Sequence, residues 1–156
     1  MATKSVVVER LIQAPPGPVW EALTDLQSME RVLSGVEKVE VLTEGGFDVG
    51  TRWRETRRMF GKEATEEMWV TASVPPDRYV VEAESHRTRY VSEFTLRPAG
   101  PDGKATKVRM VFTATPPGGA MGMVAKVLGG LGAKAVSRAI AKDLDDVAAS
   151  VERRGG

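Results

Sequence analysis

The chain of 156 residues has no cysteine and a single histidine, His86. Without thiols there is no disulfide framework, no thiolate nucleophile and no cysteine-based zinc or iron–sulfur site. One histidine cannot make a histidine-rich metal centre, so no metal is expected. An excess of charge of either sign is also lacking: 22 basic side chains stand against 21 acidic ones. The overall field therefore gives no reason to expect nucleic acid or an anionic membrane as partner. Long hydrophobic runs are missing as well. The most apolar stretch, residues 120–136, is broken by Lys126 and Lys134 and makes a poor membrane span. The N-terminal MATKSVVVERL has too short an apolar run, and the wrong flanks, for a signal peptide. The expectation is a cytoplasmic protein with no nucleic acid partner and no integral membrane insertion; nothing in the sequence specifies its oligomeric state.

Recognisable catalytic and cofactor motifs are absent too. There is no G-x-S-x-G elbow and no Walker loop. Gly130-Leu131-Gly132-Ala133-Lys134-Ala135 fits G-x-G-x-x-A, but it follows no strand and lies inside a helical run, so it fails as a dinucleotide fingerprint. No cofactor is expected. His86 falls at a turn, away from any serine elbow, and a hydrolase triad does not assemble.

What is present is a two-residue period over most of the chain. The length suits one domain, residues 1–156, with one core or one core enclosing a cavity. Residues 4–13 alternate as a first strand and stop at Ala14-Pro15-Pro16. Pro18 fits the first turn of a helix that puts Val19, Trp20 and Leu23 on one side. Asp25 is placed to cap a second short helix carrying Leu26, Met29 and Val32 or Leu33. Trp20 reads as a packing anchor, with a pocket wall as the alternative. Strands then follow at 36–42, 50–60, 63–74, 78–85, 89–97 and 106–115, separated by Gly and Pro breaks. Pro116-Pro117-Gly118-Gly119 leads into one long helix, 119–151. These elements predict an α+β fold, with seven antiparallel strands, two short helices after the first strand and a C-terminal helix covering the sheet.

Strand alternation sorts the side chains. A two-residue loop at Gly61-Lys62 pairs Phe60 with Glu63, so Trp53 faces Val70, Glu55 faces Met68, Arg57 faces Glu66 and Met59 faces Ala64 on the inner face. Arg52, Arg54 and Arg58 then point outward, with Trp69 beside Arg54. That pair reads as a cation–π contact on a solvated face, or as part of a single-strand nucleic-acid platform. Tyr79, Val81 and Ala83 share the inner face with Tyr90, Ser92, Phe94 and Leu96, joined by Val108, Met110, Phe112 and Ala114. An aromatic, Met-rich inner surface with few polar groups has the composition of a small-molecule site.

Within that face Glu55, Arg57 and Glu66 form a carboxylate–guanidinium cluster. It either orients a ligand's polar end, with Glu55 available as a general base, or is a cross-strand ion pair near the hairpin mouth. Glu55 and Arg57 are the catalytic candidates. In the helix, Ile140, Leu144, Val147 and Val151 form an apolar stripe suited to sealing against the sheet. The glycine-rich half, 119–135, carries a stripe of small residues at Ala125, Gly129 and Ala133. It either permits close backbone approach or leaves empty volume over the sheet. The expected ligand-binding set is Trp53, Glu55, Arg57, Met59, Met68, Val70, Tyr79, Val81, Tyr90, Phe94, Met110 and Phe112, with Val124 and Leu128 from the helix.

The strand ending in APP with VWEALTD, then GTRWRETRRMFG, the PPDRYVV break and the terminal helix after PPGG resemble the START-related superfamily of polyketide cyclase/dehydrase and lipid-transport proteins. The resemblance implies a helix-grip fold, a curved seven-stranded antiparallel sheet wrapped around a long C-terminal helix with an apolar cavity between them. It implies a binder of a hydrophobic or aromatic small molecule such as a lipid, isoprenoid or polyketide-like compound. A polyketide cyclase or dehydratase, in which a pocket tyrosine joins Glu55 and Arg57, and a chaperone-activator-like interaction module are the alternatives. The Cys/His Rieske ligands of the oxygenase branch are absent, and no aromatase/cyclase residue pattern carries over.

Overall fold

The computed structural model describes residues 4–59, 61–85, 87–115 and 131–155. Seven strands, β1 (Lys4–Ile12), β2 (Val36–Val41), β3 (Arg52–Met59), β4 (Lys62–Val74), β5 (Arg78–Ser85), β6 (Thr88–Ala99) and β7 (Ala105–Thr115), form one antiparallel sheet in the order β1-β7-β6-β5-β4-β3-β2. Between β1 and β2 run helix α1 (Pro16–Thr24), a 3-10 turn (Leu26–Ser28) and the short helix α2 (Met29–Val32); helix α3 (Leu131–Gly155) closes the described chain. This is the helix-grip arrangement. Register shifts in β2 between Val36 and Lys38, and in β4 between Val70 and Ala72, mark bulges, which bend a strand and increase its twist.

Helix α1 starts where its prolines allow, with prolines in the first turn where no backbone N–H is needed. Val19 and Leu23 are buried, and Trp20 packs edge-on against Tyr79 with ring centroids 5.3 Å apart. Asp25 departs from expectation. Its carboxylate makes no capping bond to the backbone and accepts instead from the Ser28 hydroxyl at 2.7 Å. The segment 26–32 is accordingly a 3-10 turn followed by one helical turn rather than a single capped helix.

The β3–β4 hairpin corrects the expected register by two residues. Met59 pairs with Lys62, which puts Trp53 opposite Met68, Glu55 opposite Glu66 and Arg57 opposite Ala64. The turn lies one residue earlier than expected, where Gly61 supplies a φ of 76°. A shift of two preserves the pleat, so every residue keeps its assigned face while its partner changes. On the outer face Arg52, not Arg54, now lies across from Trp69, with its guanidinium carbon 4.8 Å from the ring centroid. Arg54 pairs with Glu40 at 3.4 Å, Arg52 with Glu67 at 2.9 Å and Arg58 with Glu37 at 3.1 Å. The outer arginines are thus matched by carboxylates, as on an ordinary solvated sheet face.

Helix α3 buries Val136, Ile140, Leu144, Val147, Ala148 and Val151, the anticipated stripe plus two neighbours, mainly against β1 and α1. Its acidic side chains tie it to other elements. Asp145 pairs with Arg10 of β1 at 3.0 Å, Asp146 accepts from the Ser34 backbone N–H and hydroxyl at 2.9 Å, and Glu152 accepts from the Gln13 N–H at 2.9 Å. Asp143 reaches β3. The glycine-rich residues 119–130, including Val124, Leu128 and Gly129, lie outside the described residues.

Candidate functional site

The inner face of the sheet and helix α3 do not meet everywhere. Between them, bounded on a third side by α1 and α2, is a cavity of about 780 Å³. Its walls follow from strand alternation. Trp53, Glu55 and Arg57 come from β3, Met68 from β4, Tyr79, Val81 and Ala83 from β5, Tyr90, Ser92 and Phe94 from β6, and Met110 and Phe112 from β7. Leu23, Met29 and Leu33 line it from the α1–α2 side, and Val136, Ala139, Ile140, Asp143 and Leu144 from α3.

The aromatic wall is ordered by ring contacts. Tyr79 and Phe94 stack at 4.5 Å, Tyr90 and Phe112 stack at 5.6 Å, and Phe47 meets Tyr79 edge-on at 5.2 Å and Trp53 at 6.2 Å. Such pairs contribute about 0.5–1.5 kcal/mol each beyond the area they bury. They also hold the rings as fixed surfaces, which suits a site that presents flat apolar walls to a ligand.

One polar cluster interrupts this lining. The Arg57 guanidinium donates from Nε to Glu55 Oε2 at 2.5 Å, and from its two terminal nitrogens to both oxygens of Asp143 at 3.1 and 2.7 Å. Glu55 is almost fully buried, and its other oxygen accepts from the Trp53 indole N–H at 3.3 Å. The cluster joins β3 to α3 in the cavity wall. Burial works to lower the Arg57 pKa, but the adjacent Glu55 and Asp143 carboxylates outweigh it and hold the value above the ordinary one. For Asp143 burial dominates and raises the pKa, against the opposing pull of Arg57. Burial, with the Asp143 and Glu55 charges beside it, raises the Tyr79 pKa well above its ordinary value, so its hydroxyl stays protonated. Burial and the Glu66 charge raise the pKa of Tyr90.

Of the residues expected at the site, Trp53, Glu55, Arg57, Met68, Tyr79, Val81, Tyr90, Phe94, Met110 and Phe112 line the cavity. Val70 is fully buried but belongs to the solid core rather than the cavity wall. It points inward as alternation predicts, but next to the β4 bulge it is packed over rather than open to the void. The Met59 side chain, like Val124 and Leu128, lies outside what the structure describes. The expected trio of Glu55, Arg57 and Glu66 is also revised. Arg57 takes Asp143 as its second carboxylate, because the two-residue register change moves Glu66 from opposite Arg57 to opposite Glu55. Phe47 and Asp143 are among the lining residues that had no expected role. Phe47 stands in the Gly-rich loop after β2, where no periodicity points inward. Asp143 occupies a polar slot one residue before Leu144 of the apolar stripe, and an acid at the edge of a helix stripe is a weak signal without its partner in view. A second recess, of about 320 Å³, lies at the outer side of α2 and α3 and is lined by Arg31, Val32, Asp146, Ser150 and Arg153. It is polar, and Asp146 there is already held by Lys142 at 2.6 Å and by Ser34.

Among the described residues there is no group of three or more His, Cys, Asp or Glu side chains arranged to hold a metal ion, and no helix long and apolar enough to cross a membrane.

Solved structures share this architecture. Protein TTHA0849 from Thermus thermophilus superposes with a TM-score of 0.78 at 22% identity, over 98% of this chain and 100% of its own. The Zhui aromatase/cyclase from Streptomyces sp. R1128 gives a TM-score of 0.78 at 22% identity, over 99% of this chain and 97% of its own. A point mutant of norcoclaurine synthase from Thalictrum flavum gives 0.77 at 16% identity, over 99% and 98%. At these identities the likeness is one of fold. No curated protein sequence matches the chain. The sequence profile described as polyketide cyclase / dehydrase and lipid transport matches residues 3–152, nearly the full length. The chain belongs to the polyketide cyclase / dehydrase and lipid transport family.

Proposed function

We propose that the protein binds a hydrophobic or aromatic small molecule, such as a lipid, isoprenoid or polyketide-like compound, between the sheet and helix α3. The observation that carries this reading is a cavity of about 780 Å³ walled by stacked aromatic and methionine side chains, with a polar cluster of Glu55, Arg57 and Asp143 in its wall. A ligand burying about 300 Å² of apolar surface there gains about 7 kcal/mol before ordering costs, enough for useful affinity without covalent chemistry. A void of this size supports this reading over an interaction module whose cavity has collapsed. Native mass spectrometry of the protein incubated with lipid and polyketide extracts tests the proposal. A bound apolar adduct that is displaced on denaturation is expected; repeated absence of any adduct would count against it.

A second reading, a cyclase or dehydratase, is favoured by one observation. Two carboxylates and a tyrosine held protonated converge on one cavity wall beside a fixed guanidinium. In that reading a carboxylate takes the proton from a bound polyketide, Arg57 holds the cluster's geometry and Tyr79 donates a hydrogen bond to the developing enolate oxygen. Asp143 joins Glu55 as a candidate base, because its raised pKa brings it closer to the working range of a proton acceptor. Single-turnover assays of Glu55→Gln and Asp143→Asn with a cyclisable polyketide analogue separate the roles. Loss of turnover with retained binding in either variant identifies the base; full turnover in both removes this mechanism.

A further inference from the structure

Away from the main cavity, two arginines meet at a recess where the described carboxylate is already engaged. This is the space of about 320 Å³ between the short helix α2 and the C-terminal part of α3, lined by Arg31, Val32, Asp146, Ser150 and Arg153. Helix spacing puts Asp146, Ser150 and Arg153 on one face of α3, at i, i+4 and i+7. Along the helix axis Asp146 lies about 22 Å from Leu131, where the described chain resumes. The volume is at the lower end of the range for small-molecule sites, which begins at about 300 Å³.

The Asp146 carboxylate is held on both oxygens. Oδ1 accepts from Lys142 Nζ at 2.6 Å, and Oδ2 accepts from the Ser34 N–H and hydroxyl, each at 2.9 Å. Burial works to raise its pKa, but these bonds outweigh it and keep the value below the ordinary one. Arg31 donates from Nη2 to the Ser28 hydroxyl at 2.8 Å, and Ser28 donates in turn to Asp25 at 2.7 Å. That chain orients the guanidinium while using one of its five N–H donors. Among the described residues Arg31 pairs with no carboxylate, and the Arg153 guanidinium and Ser150 hydroxyl have no hydrogen-bond or ion-pair partner. Three side chains from two elements therefore offer donors to one recess. A planar carboxylate has two oxygens to receive them, whereas a phosphate monoester has three, set tetrahedrally, and carries the greater negative charge.

We infer that this recess binds a phosphate monoester group, held by Arg31 of α2 and by Ser150 and Arg153 of α3. The group is carried by a small soluble molecule or by a lipid headgroup. Of the recess residues Val32 alone also lines the cavity, and the inference does not rest on the binding function proposed above.

Amide NMR titrations with glycerol 3-phosphate, and with acetate at matched ionic strength, provide the soluble arm of the test. Glycerol 3-phosphate should give saturable shifts at the Ser150 and Arg153 amides, and acetate should bind about fivefold or more weakly. Sedimentation with vesicles of equimolar phosphatidylcholine and phosphatidic acid, against phosphatidylcholine alone, provides the headgroup arm. Arg31→Gln and Arg153→Gln, both at exposed positions, should each weaken the binding by about fivefold or more. Arg97→Gln, the same loss of charge on the outer face of β6, should leave it unaltered. Glycerol 3-phosphate binding in solution assigns the group to a soluble ligand; vesicle binding without it assigns the group to a headgroup. No saturable binding in either arm, acetate that matches glycerol 3-phosphate, recess variants that bind like the wild type, or an Arg97→Gln effect as large as theirs overturns the inference.

Discussion

Arg57 shows how one residue holds two elements and one site together. Its guanidinium neutralises Glu55 from its own strand and Asp143 from helix α3, and both carboxylates are largely withdrawn from water. Breaking such a pair from the cationic side leaves uncompensated charge, a larger loss than the net value of the intact pair. Arg57→Met should therefore cost about 3–5 kcal/mol at neutral pH in urea denaturation. The cost should shrink on acidification, as the stranded carboxylates take up protons. Asp143 has the opposite bearing on pH. Its pKa is raised by burial above the ordinary 3.8, so the unfolded chain ionises first as the pH rises. Its contribution to stability is full below 3.8 and is lost as the pH climbs through the raised value in the folded protein. Asp143→Asn removes this loss, so the stability of the Asn variant relative to the wild type should increase as the pH rises across that window. Denaturation midpoints measured through it check the sign; a relative stability that falls with pH would contradict the burial argument.

At the scale of elements, hairpin turns and helix stripes carry the sequence-to-structure relation. Faces are legible in the sequence because a two-residue period survives any even shift of register. Trp53, Tyr79, Phe94 and Met110 fall inward whatever their partners. Partners are not legible, because the β3–β4 register depends on a loop only two residues long. Moving that loop by one position replaces Glu66 with Ala64 opposite Arg57. Gly61 holds the observed turn with a positive φ, so Gly61→Ala should cost about 1–2 kcal/mol through backbone strain alone, with no clash of its Cβ. Helix α3 makes a sharper contrast. Leu144 is 1% exposed within the apolar stripe, and Leu144→Ala should cost about 2–5 kcal/mol. Its neighbour Asp145 pairs with Arg10 in solvent, and Asp145→Asn should stay within about 1 kcal/mol of the wild type. Chemical denaturation of the two variants side by side tests whether the stripe or the surface pairs secure the helix. Equal losses would place the fastening outside the stripe.

At the scale of the molecule, a sheet bent by bulges leaves more room under it than one helix fills, and the remainder is the cavity. The architecture can be read from strand count and breaks, and from the APP, PPDRYVV and PPGG punctuation. The polar cluster in the cavity wall cannot, since Asp143 and Glu55 are 88 positions apart and are joined through Arg57. The claim that the cavity is a binding site is tested most directly by filling it. Ala139 faces the void from α3, and Ala139→Phe adds bulk there while leaving the apolar stripe intact. Titration with an uncharged naphthalene probe, followed by the fluorescence of Trp53 and the other tryptophans, should give saturable single-site binding to the wild type. The filled variant should bind about tenfold or more weakly, with its fold retained by circular dichroism. Undiminished binding in a folded Ala139→Phe variant, or no saturable binding to the wild type, would contradict the assignment of this cavity as the ligand site.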